Sequence, residues 1–187
     1  GFSLKPIAGL LGLKSAARPG ILFICGSAWS IAFAKKLQEL EVPALIADSN
    51  WNHIREARLS DIPVHYGEIL SEAAHHAISF NRFSHVVAAT DNDAYNSLVC
   101  TEFGPEFGRS NVYQIGRVRD EKERHALRFT LGGRPVFDPG KDYSDVRHNM
   151  WEGWVFHSTK ISEEFTLEDY RASRPPETNL LLWIKPN

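Results

Sequence analysis

The chain has 187 residues, 43% of them apolar and 24% charged, which fits one good-sized globular domain or a domain with a small satellite. Its formal net charge of −2, with no basic block, excludes nucleic acid as the partner. No apolar stretch approaches the roughly 20 residues that cross a bilayer as a helix, and residues 1–5 lack the pattern of a secretory leader.

Gly1 stands in place of an initiating Met, and Ile7-Ala8-Gly9-Leu10-Leu11-Gly12-Leu13 is a short amphipathic run ending in the basic Lys14 and Arg18. Residues 1–19 therefore read as a tether leading out of something upstream. Pro19-Gly20 closes it, and a β-α alternation follows. The all-apolar run 21–25 predicts a first strand, and 28–40 a helix with Ile31, Ala32, Ala34 and Leu37 on its inner face. A second strand is predicted at 42–47, then a helix over 50–59 capped by Ser49 or Asn50. Residues 63–66 predict a third strand and 71–78 a helix; 85–89 predict a fourth strand and 91–103 a helix. A fifth strand at 112–115 and a helix over 121–129 complete the series.

Strands this apolar, separated by helices of about ten residues, predict a parallel sheet covered on both faces. The expected fold is α/β: a Rossmann-like doubly wound domain over residues 20–139. Gly132-Gly133-Arg134-Pro135 and Asp138-Pro139-Gly140 then break the pattern. Residues 140–187 read as a small α+β lobe, with helices at 143–152 and 165–172 and strands at 153–158 and 180–184.

The chemistry sits at the strand ends. An apolar strand running into Gly26-Ser27 and straight into a helix points the helix N-terminus at a phosphate, which the amides near Ala28–Ser30 would bind. The plainer alternative is a tight turn at Gly26 with Ser27 as the helix cap. Asp48, about twenty residues on, is placed to accept hydrogen bonds from ribose hydroxyls; as a surface residue it would only cap the next helix. Ser49 and Asn50 adjoin it on the adenosine side. Thr90 closes the fourth strand at the mouth of the same cleft. Trp29 and Trp51 flank the cleft and would either stack a base or fill an interface.

Together, Cys25-Gly26-Ser27-Ala28, Asp48, Tyr66-Gly67-Glu68 and the run Ala89-Thr90-Asp91-Asn92-Asp93-Ala94-Tyr95-Asn96 resemble the TrkA-N domain, over roughly residues 21–128. The last run is the most specific, being similar to that family's T-x-x-D-x-x-N pattern. The resemblance is nearest to the cytoplasmic tails of bacterial Na⁺/H⁺ and K⁺/H⁺ antiporters. It implies a domain that binds NAD(H) or an adenine mononucleotide such as AMP, ADP or ATP, forms a homodimer, and gates a transmembrane antiporter domain of the same polypeptide from the cytoplasmic side of the inner membrane. By the same carry-over Glu68 would lie near the adenine. Two departures stand out: Ala28 and Ile31 occupy positions where the family often has Gly, and Glu68 one where it often has Asp. A β-carbon at each glycine position crowds the pyrophosphate approach, which favours a mononucleotide, or no ligand, over a dinucleotide.

No catalytic apparatus is legible. Gly26-Ser27-Ala28-Trp29-Ser30 is not a G-x-S-x-G elbow, and no Tyr lies four residues before a Lys. The eight histidines show no ligand spacing, so no metal is expected. Cys25 and Cys100 read as buried thiols of a reducing compartment. The sequence reading is thus a non-catalytic regulatory domain. An NAD(P)-dependent oxidoreductase, and a degenerate Rossmann scaffold that dimerises through Trp151, Trp154, Phe156 and Trp183, stand as its alternatives.

Overall fold

The computed structural model describes residues 20–116, 131–137, 140–176 and 178–184. The predicted tether at 1–19 and helix at 121–129 lie outside these residues. The strands are β1 (Gly20–Ile24), β2 (Ala44–Asp48), β3 (Val64–Tyr66), β4 (Phe83–Ala88), β5 (Val112–Gln114) and β6 (Arg134–Pro135). The helices are α1 (Ala28–Glu39), α2 (Trp51–Leu59), α3 (Glu72–Ala77), α4 (Asp93–Phe107), α5 (Tyr143–Trp151) and α6 (Leu167–Ser173). All strand pairings are parallel, in the order β3-β2-β1-β4-β5-β6. The chain winds outward from β1 to β3, crosses back to β4 and winds outward again. Between β1 and β4 the winding reverses, and a crevice opens beyond the strands' carboxyl ends.

Alternation along β1 shows why the sheet is covered twice. Ile21 and Phe23 point to a layer that holds Phe33, Ala34 and Leu37 of α1 and Ala57 of α2. Leu22 and Ile24 point the other way, to Ala74 of α3 and Val99, Cys100 and Phe103 of α4. Every residue of β1 is buried. That is why the strand reads as an unbroken apolar run rather than an alternating one.

The structure departs from the sequence reading in four places. Helix α4 runs through the Gly104-Pro105 pair to Phe107, where Phe103 and Phe107 pack edge to face at 5.7 Å. Residues 134–135, expected in a break, form the edge strand β6. Gly133 allows it, because a β-carbon there would lie 2.7 Å from Cys100 Sγ and 2.9 Å from the Val112 carbonyl oxygen. The strands expected at 153–158 and 180–184 do not form. Those segments dock by side chain instead: Phe156 stacks on Phe33 at 4.9 Å, and Trp154, Leu181 and Leu182 pack against the same layer. With Val146 of α5 they cover the sheet, so of the expected exposed patch Trp154 and Phe156 are packed inward while Trp151 and Trp183 stay exposed, at 87% and 46%.

Candidate functional site

Beyond the ends of β1, β2 and β4 lies a cleft of about 160 Å³. Asp48, Ser49, Glu68 and Thr90 line it, together with Cys25, His53, Asp91 and Tyr95. Three carboxylates face the space, and none of its lining residues is a lysine or arginine.

Asp48 organises the cleft floor. Gly26 N–H donates to its Oδ2 at 2.8 Å and Asn50 N–H to its Oδ1 at 2.7 Å. His53 Nδ1 lies 2.7 Å from Oδ2. The Asp48 side chain is only 10% exposed while His53 is 36% exposed, so the imidazole closes over the carboxylate from the solvent side. Helix α2 makes this possible. Asn50 caps it by accepting the Asn52 N–H, and the first turn carries His53 back over the end of β2. Gly26 suits the same packing: a β-carbon would stand 3.0 Å from His53 Cβ and 3.1 Å from its carbonyl oxygen, so α2 would have to give by a few tenths of an ångström.

The turn itself is held from within. Cys25 adopts φ +96°, a left-handed conformation that costs a residue with a β-carbon about 1–3 kcal/mol. Buried Ser30 offsets it, donating from Oγ to the Cys25 carbonyl at 2.6 Å. Burial, and then the Asp48 carboxylate beside it, push the Cys25 thiol up to about 12. Ser27 caps α1 by accepting the Ser30 N–H. The amides of Ala28 and Trp29 find no partner among the described residues, as is usual in the first turn of a helix.

Of the expected residues, Gly26, Ser27, Ala28 and Asn50 are not among the cleft's lining, and two aromatics fall elsewhere. The Trp29 side chain is 3% exposed and points into the sheet layer, edge-on to Phe23, Phe33 and Phe137. Its indole is not available to a base in the cleft. Ile31 is likewise buried in that layer, so its side chain does not crowd the cleft. Trp51 is half exposed on the outer edge of the sheet, edge-on to Tyr66 with Arg58 over its ring.

On the far wall, Tyr95 O–H donates to Glu68 Oε1, joining the end of β3 to the first turn of α4. Burial and the Glu68 carboxylate raise the Tyr95 phenol, which stays protonated and serves as a donor. Thr90 is fixed by Asn96, a fully buried residue. Its Oδ1 accepts from Thr90 N–H and Oγ1–H, and its Nδ2 donates to the carbonyls of Thr90 and Ile115. The Thr–Asn spacing thus ties β4, α4 and the end of β5 together.

The sequence analysis does not single out His53, and it reads Tyr95, within the run Ala89–Asn96, as a packing residue rather than part of the cleft lining. Both stand in the first turn of a helix that follows a cleft strand, and that position was the available signal. A second hollow of about 700 Å³, lined by Lys141, Asn149, Trp154 and Arg174 among others, shares no residue with the cleft.

The model of the TrkA-N domain family matches residues 22–135, from β1 to the last residue of β6. No curated protein matches the chain.

Proposed function

The chain belongs to the TrkA-N domain family, whose members bind nucleotides and are generally regulatory in K⁺ transport, and from that premise we propose that this cleft senses an adenine mononucleotide such as AMP. The observation that carries the choice is the cleft's size and charge. At about 160 Å³ the cleft is smaller than the roughly 300–1,000 Å³ of ordinary small-ligand sites, so it holds at most part of a nucleotide and offers no room for the second nucleoside of a dinucleotide. Three carboxylates in the lining also disfavour a ligand with several phosphates.

In this reading the ribose diol donates to Asp48, displacing the His53 imidazole from Oδ2, while Ser49 and Asn50 flank it. Glu68 accepts from the adenine amino group. A single phosphate takes the free amides of Ala28 and Trp29 beside Gly26 and Ser27, and Thr90 lines the distal side. The domain hangs on the cytoplasmic side of a monovalent cation:proton antiporter and works as a homodimer. Nucleotide gates the transporter only to the extent that it binds one dimer geometry better than the other.

Calorimetric titration of the chelator-treated protein with AMP, ADP, ATP, NAD and NADH tests this. AMP should bind one per chain and more tightly than NAD. His53→Ala should tighten AMP several-fold by freeing Asp48, and Asp48→Asn should weaken it at least tenfold. No heat from any of the five would remove the ligand. A second reading, the ligand-free dimerisation scaffold, draws on Asp48 being already engaged by three groups of its own chain.

A further inference from the structure

Two side chains in the cleft are not needed by a nucleotide, the thiol of Cys25 and the imidazole that closes over Asp48, while the Asp48 carboxylate between them is the group for which a ribose and a cation would compete. Cys25 Sγ, a carboxylate oxygen of Asp48 and a ring nitrogen of His53 all lie within 4.8 Å of one another. Each comes from a separate place in the fold: the residue after β1, the last residue of β2 and the first turn of α2. We infer that Cys25, Asp48 and His53 form a three-ligand site for zinc, with the fourth coordination position open to the cleft.

Four observations lead to that metal. A thiolate, an imidazole and a carboxylate are the donor types zinc takes, and three protein donors with one open position are a recurrent zinc arrangement. Zinc binds these atoms at about 2.0–2.3 Å, so tetrahedral neighbours lie roughly 3.3–3.7 Å apart. With the three atoms already within 4.8 Å of one another, the cluster closes by up to about 1.5 Å around the cation, and the 2.7 Å His53–Asp48 contact opens as zinc takes Nδ1 and the ring proton moves to Nε2. The carboxylate is already aimed, because the amides of Gly26 and Asn50 hold both its oxygens from behind, as outer groups do at metal centres. The left-handed backbone of Cys25, braced by Ser30, holds the residue in a conformation that only a built turn keeps. On binding, Cys25 gives its thiol proton to solvent and His53 coordinates as the neutral ring.

The set is not legible in the sequence. Its members are 23 and 5 residues apart and belong to no ligand motif. The inference does not rest on the nucleotide reading, and the two separate at His53: loss of that ring should weaken zinc and tighten AMP.

The test is metal retention. The purified chain, stripped with chelator, is given a slight excess of zinc, dialysed without nucleotide and assayed for metal. A parallel sample receives Co²⁺, whose ultraviolet charge-transfer absorption reports a thiolate ligand. One zinc per chain and a cobalt–thiolate band are expected, with the band lost in Cys25→Ser and zinc affinity about 100-fold weaker in His53→Ala. Circular dichroism checks that each variant is folded. Should Cys25→Ser fail to fold, the partly exposed His53→Ala decides the matter. No retained zinc, or zinc and cobalt spectra unchanged in His53→Ala, would overturn the site.

Discussion

At the scale of single residues, Asp48 carries two duties that pull against each other. As the acid closing β2 it is where the fold expects a ribose, yet in the folded chain it accepts from Gly26 and Asn50 and is covered by His53. Asp48→Ala should therefore do more than abolish ligand binding. Two amides that donate to a charged acceptor lose their partner, at about 1–3 kcal/mol. Chemical denaturation should show that loss, and an unchanged midpoint would mean the network contributes nothing. The acid was legible because its place at a strand end follows from the run of apolar residues before it. Its partner His53 was not: the helix after Asn50 is predicted from the sequence, but not that its first turn folds back over the end of the strand and lays His53 on the carboxylate. The cysteines make a second residue-scale prediction. Burial first, and for Cys25 the adjacent carboxylate, push both thiols from an ordinary 9.0 to about 12. A disulfide reagent at pH 8 should find neither thiol in the metal-free native protein and both after unfolding. Above pH 9 unfolded thiols release protons that the native ones keep, so stability should fall as pH rises from 9 toward 12 and stay flat in this respect below 9. A thermal midpoint that rises over that range would contradict the burial of both thiols.

At the scale of elements, Asn96 is the clearest joint. One buried amide satisfies four groups across the ends of β4 and β5 and the first turn of α4. Asn96→Ala removes the partner of the Thr90 amide and of the Thr90 and Ile115 carbonyls, while the Thr90 hydroxyl keeps Asn92, and should cost about 2–3 kcal/mol, a fall of roughly 5–10 °C in thermal midpoint for a chain of this size. A fall under one degree would show that water replaces the amide freely. The motif around Asn96 was visible in the sequence as a family signature, but its structural reason was not. The strand errors have a different origin. In Gly153–Ser158 the alternation of Trp154 and Phe156 is real, because every second residue faces the sheet layer. Period two reports which side is buried, not whether a neighbouring backbone exists to pair with. Conversely β6 is two residues long and follows two glycines, so no pattern announces it; its Pro135 is tolerated because the strand lies on the sheet's edge.

For the whole molecule, the parallel sheet and its winding followed from five apolar runs and the helices between them, whereas the relation of the C-terminal residues to the sheet did not. Trp29, Phe33 and Phe137 are covered in part by Phe156 and by Leu181 and Leu182, which arrive from the chain's end. Removing residues after Pro139 should expose that aromatic layer, raise the binding of an apolar dye and lower the thermal midpoint; a truncated chain that melts unchanged and binds no dye would mark residues 140–187 as a separate lobe. The cleft sits on the opposite side of this question, at the strand ends, and the account stands on what occupies it. Amide-by-amide NMR of the isotope-labelled, metal-free chain during titration with AMP is the most direct measurement. Saturable shifts at Gly26, Ser27, Ser49, Glu68 and Thr90 are the predicted result, larger with AMP than with NAD at equal concentration and absent in Asp48→Asn. Shifts confined to the hollow around Lys141, Asn149 and Arg174, or none at all, would contradict the nucleotide-sensing cleft.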